Sequence, residues 1–381
     1  MAGAGRHHHV GAGRAPLSAS LDLSRTSAAV EHGAEEGTSV GAQVGVWFRG
    51  DTATLVSGLA APGRAMAGDT LLPWFSVTKV LVGLSVMQQW ERGRLDPDDA
   101  VAAHVPEFGA NGKERVTLRH LLTHTARLAA AVGDDSWPGL LDTACASPLA
   151  EGWEPGRRAA YSPQLAYSVL GEVVQRLDGR PLDAYVSEEV FEPLGMADSW
   201  LALPPERYEA YGDRVGVMYD TKRDGPGPVP SLARASGFER TRPSSSGVGP
   251  AADLVRLLVA LLHKGELDGV RVLSPQGADT MCARHRSGLE DETFGEHVDW
   301  GLGVIVNSWH YRRRPAPYGF GDHASPRAFG HGGNQSSVAF ADPDAGLAAV
   351  VIFNGMAGEA RHHRRTQRVV NAIYEDLGLA G

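Results

Sequence analysis

The chain reads as an α/β fold, more narrowly α+β, with one sheet built from both chain ends and a mostly helical domain inserted between them. Two patterns carry that reading. Runs of strand length recur near residues 40–57 and again between 304 and 353, whereas apolar residues in much of the interval recur at steps of three and four. At 381 residues, 43% hydrophobic and 21% charged, the chain is long enough for two domains, or one with a large insertion, around a sizeable core.

In order, residues 1–35 are rich in Gly, Ala, Arg and His, have no continuous apolar stretch, and are expected to form a disordered tail. The His7-His8-His9 triplet within it is read as part of that mobile tail. Val40, Ala42, Val44 and Val46 then alternate with Gly41, Gln43 and Gly45, the pattern of a half-buried strand. Arg49-Gly50-Asp51 supplies a turn into a second strand over 52–57, so a hairpin is expected. After Pro73, Val77, Val80, Leu81, Leu84, Met87 and Trp90 mark one face of a helix closed by Gly93 and Pro97.

Further helices follow from 117 to 186, one of them spanning 165–177 and stopped at Gly179-Arg180-Pro181. Residues 203–250 are dominated by Pro, Gly, Ser and Arg, as in a lid or binding loop. A helix returns at 251–262, strands resume beyond Trp300, and Asp342-Pro343-Asp344-Ala345-Gly346 turns the chain into a strand over 347–353. A last helix is expected from 361 to 377, its Arg361, His362, His363, Arg364, Arg365 and Arg368 forming a solvated face. The expected units are therefore a sheet domain of residues 36–80 plus 292–381 and a helical domain of 81–291.

A net charge of −9 disfavours a nucleic-acid partner. No run reaches the roughly 18 apolar residues of a membrane span. Cys145 and Cys282 are the only cysteines and lack metal-ligand spacing, which fits a reducing compartment and a cytoplasmic protein.

Chemistry concentrates first at Phe75-Ser76-Val77-Thr78-Lys79. Ser76 and Lys79, three apart at a helix start, share a face. Apolar neighbours disfavour the charged form of Lys79, so it can act as a base toward the Ser76 hydroxyl. The chain otherwise uses arginine; its only other lysines are Lys113, Lys222 and Lys264. Arginine cannot lose its proton at working pH, so a lysine on an apolar helix suits a task that arginine cannot perform. The backbone N–H of Ser76 lies where a developing oxyanion is stabilised. His120 and His124 have the i, i+4 spacing of a zinc pair, but Leu121 stands where a metalloprotease has Glu, so no metal is expected.

The segment 75–80 resembles the nucleophile motif of the penicillin-recognising serine hydrolases: class C β-lactamases, D,D-peptidases, and the esterases and transacylases that share their fold. Glu91-Arg92-Gly93-Arg94-Leu95, His120-Leu121-Leu122-Thr123-His124-Thr125 and Phe191-Glu192-Pro193-Leu194-Gly195-Met196 resemble further segments of that family, so the likeness covers most of the chain. It implies an antiparallel sheet flanked by helices, and a structural role for the His120–His124 stretch.

By the same resemblance Tyr161 is the proton-shuttling tyrosine of a Tyr-x-Asn motif, with Pro163 in place of Asn. Counting back from Gly171 instead puts Ser162 and Gln164 in those two places. His331-Gly332-Gly333 occupies the site of the β-lactamase Lys-Ser/Thr-Gly motif, and the N–H of Asn334 is implied to complete the oxyanion hole with that of Ser76. A histidine there grips a carboxylate weakly.

The expected function is covalent acyl transfer through Ser76 without metal or organic cofactor, as a cytosolic esterase or transacylase on a small-molecule ester or amide, in a setting such as specialised biosynthesis. The partners would be a small acyl donor and water, an amine or an alcohol as acceptor, with the substrate lying between the domains under residues 203–250. Alternatives are a D,D-peptidase or β-lactamase, and a non-catalytic binding module of the same fold.

Overall fold

The computed structural model describes residues 21–130, 133–223, 225–311 and 319–380. Its centre is an eight-stranded antiparallel sheet. Three strands come from the first part of the chain, β1 Gly41–Phe48, β2 Asp51–Ala61 and β3 Arg64–Ala65. Five come from the last part, β4 Asp299–Trp300, β5 Ile305–Val306, β6 Phe329–Gly333, β7 Ser337–Asp342 and β8 Leu347–Phe353. Their order is β4-β5-β6-β7-β8-β1-β2-β3, so β1 and β8 join the two chain ends, with Val44 opposite Val351. The expected hairpin is present, with Phe48 opposite Asp51.

Helices cover both faces of the sheet. Those that matter here are α1 Ser24–Glu35, α2 Thr78–Glu91, α3 Leu118–Leu122, α4 Pro163–Asp178, α5 Ala251–Leu262 and α6 Glu359–Asp376. The strands sort their side chains by parity. Val338, Phe340, Val351 and Phe353 enter the cluster that holds Val369, Val370, Ile373 and Tyr374 of α6, whereas Ala339, Ala341, Val350 and Ile352 join the cluster of α2 and α5.

Several expectations change. Residues 24–35 are not tail but helix α1, which packs its Ala29 and Val30 into the α6 cluster. Thr26 accordingly donates to Asp376 through both backbone and side chain at 2.8 Å. Residues 1–20, with the His7–His9 triplet, lie outside the described residues. β1 is not half-buried: Gln43 and Gly45 face α5 rather than water. The Gln43 amide donates to the carbonyls of Ala67 and Thr70, and its oxygen accepts from the N–H of Ala251. A Cβ on Gly45 would lie 2.8 Å from Val255, so glycine is what lets α5 approach.

The described part of residues 203–250 carries short turns and its own buried cluster of Leu203, Val215, Phe238 and Val248 with Leu71, so it forms an ordered layer. The basic run of α6 is not simply a solvated face. Arg365 is buried, donating to the carbonyls of Gln335 and Gly355 at 2.8 and 2.6 Å with its guanidinium over Phe353, and His362 is buried beside it. Among the described residues, no helix is long and apolar enough to cross a membrane, and no cluster of three or more His, Cys, Asp or Glu has a metal-binding arrangement.

Candidate active site

Ser76 sits in a single 3₁₀ turn, Phe75–Val77, just ahead of α2. The preceding Phe75 holds φ at 50°, a left-handed conformation that costs a bulky residue energy and persists only where its surroundings impose it. Those surroundings are visible. Trp74 donates its backbone N–H to Gly247 at 2.8 Å and its indole N–H to Gly249 at 3.0 Å. The Ser337 hydroxyl donates to the Trp74 carbonyl at 3.0 Å, and Thr78 closes the turn by donating to Phe75 at 2.6 Å. Gly333 leaves room for this turn against β6, because a Cβ there would collide with the Trp74 carbonyl and the Ser337 hydroxyl.

The expected Ser76–Lys79 pair is present. Lys79 is wholly buried, and its Nζ lies 2.9 Å from the Ser76 hydroxyl and 2.7 Å from the Ser244 carbonyl that it also reaches. Burial pushes its pKa well below the ordinary lysine value of 10.5, with no acidic neighbour offsetting that effect. Ser244 belongs to the layer of residues 203–250, which therefore contributes an acceptor to the centre. The scarcity of lysine is not in itself a mark of chemistry, since Lys113 is buried as well and donates to the carbonyls of Cys145 and Ser147.

Tyr161 arrives from the loop that opens α4, and its hydroxyl donates to Ser76 at 2.9 Å. Of the two alignments open in the sequence, this geometry puts Tyr161 at the serine. Ser162 and Pro163 start the helix, with Pro163 in the first turn where its missing N–H costs nothing. The ring is stacked between Phe294, at a centroid distance of 5.0 Å, and Trp300, at 5.8 Å.

The backbone of Tyr161 is anchored by residues that sequence reasoning missed. Its N–H donates to Asp291 at 3.0 Å, and Asp291 forms a buried ion pair with Arg286 at 3.0 Å. Arg286 also donates to the carbonyls of Thr123 and Val298, and burial lowers its pKa to about 10. An Arg and an Asp five apart give no sequence signal of such a role.

His331 is enclosed, its Nδ1 2.6 Å from the Gly332 carbonyl and its ring 5.4 Å from Trp300 and 6.2 Å from Tyr161. Burial, with Lys79 nearby, pushes its pKa to about 3, so it is a neutral group behind the site. An enclosed neutral ring offers a substrate carboxylate no charge. Gly332 and Gly333 are buried in β6, and Asn334 follows as an exposed turn residue. His120 serves its own helix, its Nδ1 accepting from Thr117 N–H at 3.1 Å. His124 lies apart from it, in ring contact with Tyr161.

Residues 26–373 match the Beta-lactamase family. The chain belongs to that family. Esterase EstB of Burkholderia gladioli is 32% identical to this family member over 337 residues, covering 78% of this chain and 81% of that protein. Penicillin-binding protein 4 of Amycolatopsis lactamdurans is 30% identical over 330 residues, covering 83% and 81%. The crystal structure of a penicillin-binding protein homolog from Caulobacter crescentus superposes with a TM-score of 0.78 at 28% identity, covering 93% of this chain and 97% of that one. Family and relatives together support serine hydrolase chemistry by acyl transfer on the observed antiparallel fold.

Proposed function

We propose that this Beta-lactamase family chain is a cytosolic esterase or transacylase that transfers the acyl group of a small-molecule ester or amide through Ser76. The observation that carries the reading is the convergence of a buried lysine and a tyrosine hydroxyl on one serine oxygen, each at 2.9 Å. A lysine whose burial favours the neutral amine accepts the Ser76 proton as Oγ attacks the carbonyl carbon. The N–H groups of Ser76 and Asn334 stabilise the oxyanion. As the tetrahedral adduct collapses, the C–O or C–N bond breaks and Tyr161 delivers a proton to the leaving group, made good by the proton that Lys79 took from Ser76. Water, an alcohol or an amine then attacks the acyl-Ser76 ester and loses its proton to the Lys79–Tyr161 pair, the acyl C–Oγ bond breaks, and that pair returns a proton to the Ser76 oxygen.

Esterase or transacylase activity is favoured over β-lactam turnover because a neutral, enclosed His331 and the hydroxyl-free Gly332 stand where the β-lactamase motif has a lysine and a Ser or Thr. The likeness to EstB points the same way, and two free, separated cysteines fit a reducing compartment. A D,D-peptidase is the second reading, favoured by the likeness to penicillin-binding protein 4. Intact-protein mass after brief exposure to a short-chain activated ester, or to a β-lactam, tests the choice with Ser76→Ala as control. A Ser76-dependent adduct from the ester is expected, clearing faster with an added amine if transfer dominates. An adduct from the β-lactam alone would restore the peptidase or β-lactamase reading, and none from either would remove Ser76 as nucleophile.

A further inference from the structure

His124 closes α3 in a conformation that few side chains accept. Its φ is 54°, inside the left-handed region, where His, Asn and Asp are tolerated several-fold better than other non-glycine residues. That backbone lets its carbonyl accept from the N–H of Ala160 at 3.1 Å, immediately before Tyr161. The side chain acts on the same element. Only 1% exposed, the imidazole meets the Tyr161 ring at 4.7 Å with the planes inclined by 62°, and meets Trp300 at 4.5 Å and 74°. Tyr167 of α4 lies against it at 5.7 Å.

Neither ring nitrogen has a hydrogen-bond partner among the described residues. Burying two unmatched nitrogens is costly, so filling space alone would be better served by phenylalanine. Two demands met together explain histidine: a flat edge against Tyr161 and a backbone that accepts the left-handed region. We propose that His124 is a positioning residue for Tyr161, its ring wedging the phenol against Trp300 and its carbonyl tethering Ala160, so that the hydroxyl stays aimed at Ser76. Burial and the facing charges of Lys79 and Arg286, with His331, keep the imidazole neutral, so the wedge adds no charge beside the lysine.

This inference rests on the reading of Tyr161 as the proton carrier, and a kinetic cycle separates the two. His124→Asn keeps the backbone preference and removes the ring. Its kcat toward an activated ester should fall about 30-fold, with KM within about 3-fold, as expected when a reacting group is misplaced. His124→Phe keeps the flat ring and strains the backbone, so its kcat should stay within about 3-fold of the parent while its melting temperature drops. In a Tyr161→Phe background, His124→Asn should cost less than about 3-fold, because the group it positions is gone. If His124→Asn does not fold, His124→Leu, which fills the space without a flat edge, takes its place with the same expectations. Equal losses in both backgrounds, or a His124→Phe loss as large as that of His124→Asn, would overturn the inference alone. A Tyr161→Phe enzyme with parental kcat would overturn both it and the proton-carrier reading.

Discussion

On one side of Ser76 the lysine wall is local: a strained turn and the first turn of α2 put Ser76 and Lys79 three residues apart, and the apolar body of the helix desolvates the amine. On the other side the tyrosine wall is assembled from a distance. Tyr161 is tied to Asp291 across 130 residues, to Arg286 through that carboxylate, and to His124 and Trp300 by ring contact. The lysine wall derives its chemistry from burying one charge. The tyrosine wall derives its geometry from a fully bonded ion pair and stacked rings. Chemistry should therefore fail first when the former is altered, and stability when the ion pair of the latter is broken.

The largest expected effect tests the lysine wall. Lys79→Arg puts at this place a cation that cannot give up its proton, so kcat/KM toward an activated ester should fall about 10²–10⁴-fold. In the parent enzyme the acid limb of the pH–rate profile should lie below the ordinary lysine range, because the proposed base must be neutral and the pKa of Lys79 is lowered. Activity retained in Lys79→Arg would assign the base elsewhere.

Next comes the tyrosine wall. Asp291→Asn leaves the Arg286 guanidinium buried without its counter-charge, which should lower unfolding stability by about 3 kcal/mol, read from urea denaturation. A loss below about 1 kcal/mol would mean that the neutral bonds of Arg286 to the Thr123 and Val298 carbonyls suffice.

The contrast also decides what was legible in the sequence. Ser76 and Lys79 could be paired by spacing alone, because helical geometry fixes residues three apart. Tyr161 was reachable only by resemblance, and Asp291 not at all, since nothing in a lone acidic residue announces which distant N–H it will accept from. The same limit applies to β1, whose alternation reads as one wet face. Gln43 and Gly45 are covered because α5 comes back 200 residues later to lie on them, and the hydrogen bonds that make Gln43 tolerable there belong to that helix and to Ala67 and Thr70. The sheet from both chain ends was legible because strand-length apolar runs are local, and 347–353 matched to the residue.

Acid should weaken the fold around the site gradually. The unfolded His331 binds a proton near pH 6.5, whereas the native one does so only near 3. Within that window the unfolded chain holds the extra proton, so stability is lost as the pH falls from 6.5 toward 3. The slope is about 1.4 kcal/mol per pH unit for one such group. His124 and His362, also held well below the ordinary histidine range by burial, add in the same direction. Melting temperature against pH measures this, and His331→Asn should flatten the curve; an unchanged slope would place the acid-sensitive groups elsewhere.

The smallest effect is expected where the family motif is broken. Pro163→Asn would restore the amide of the Tyr-x-Asn triplet, whose role by resemblance is to contact the lysine. Here the Lys79 Nζ already lies 2.9 Å from the Ser76 hydroxyl and 2.7 Å from the Ser244 carbonyl. A third acceptor would favour the charged form, the wrong direction for a base. The substitution also gives up a proline in the first turn of α4, where its fixed φ suits the helix, at a cost of about 0.4–1 kcal/mol. Ester turnover should therefore change by less than about 3-fold, with a slight drop in melting temperature. A gain of 10-fold or more in β-lactam acylation would show instead that the amide was the missing part, and that the neutral His331 behind the serine had never been the barrier.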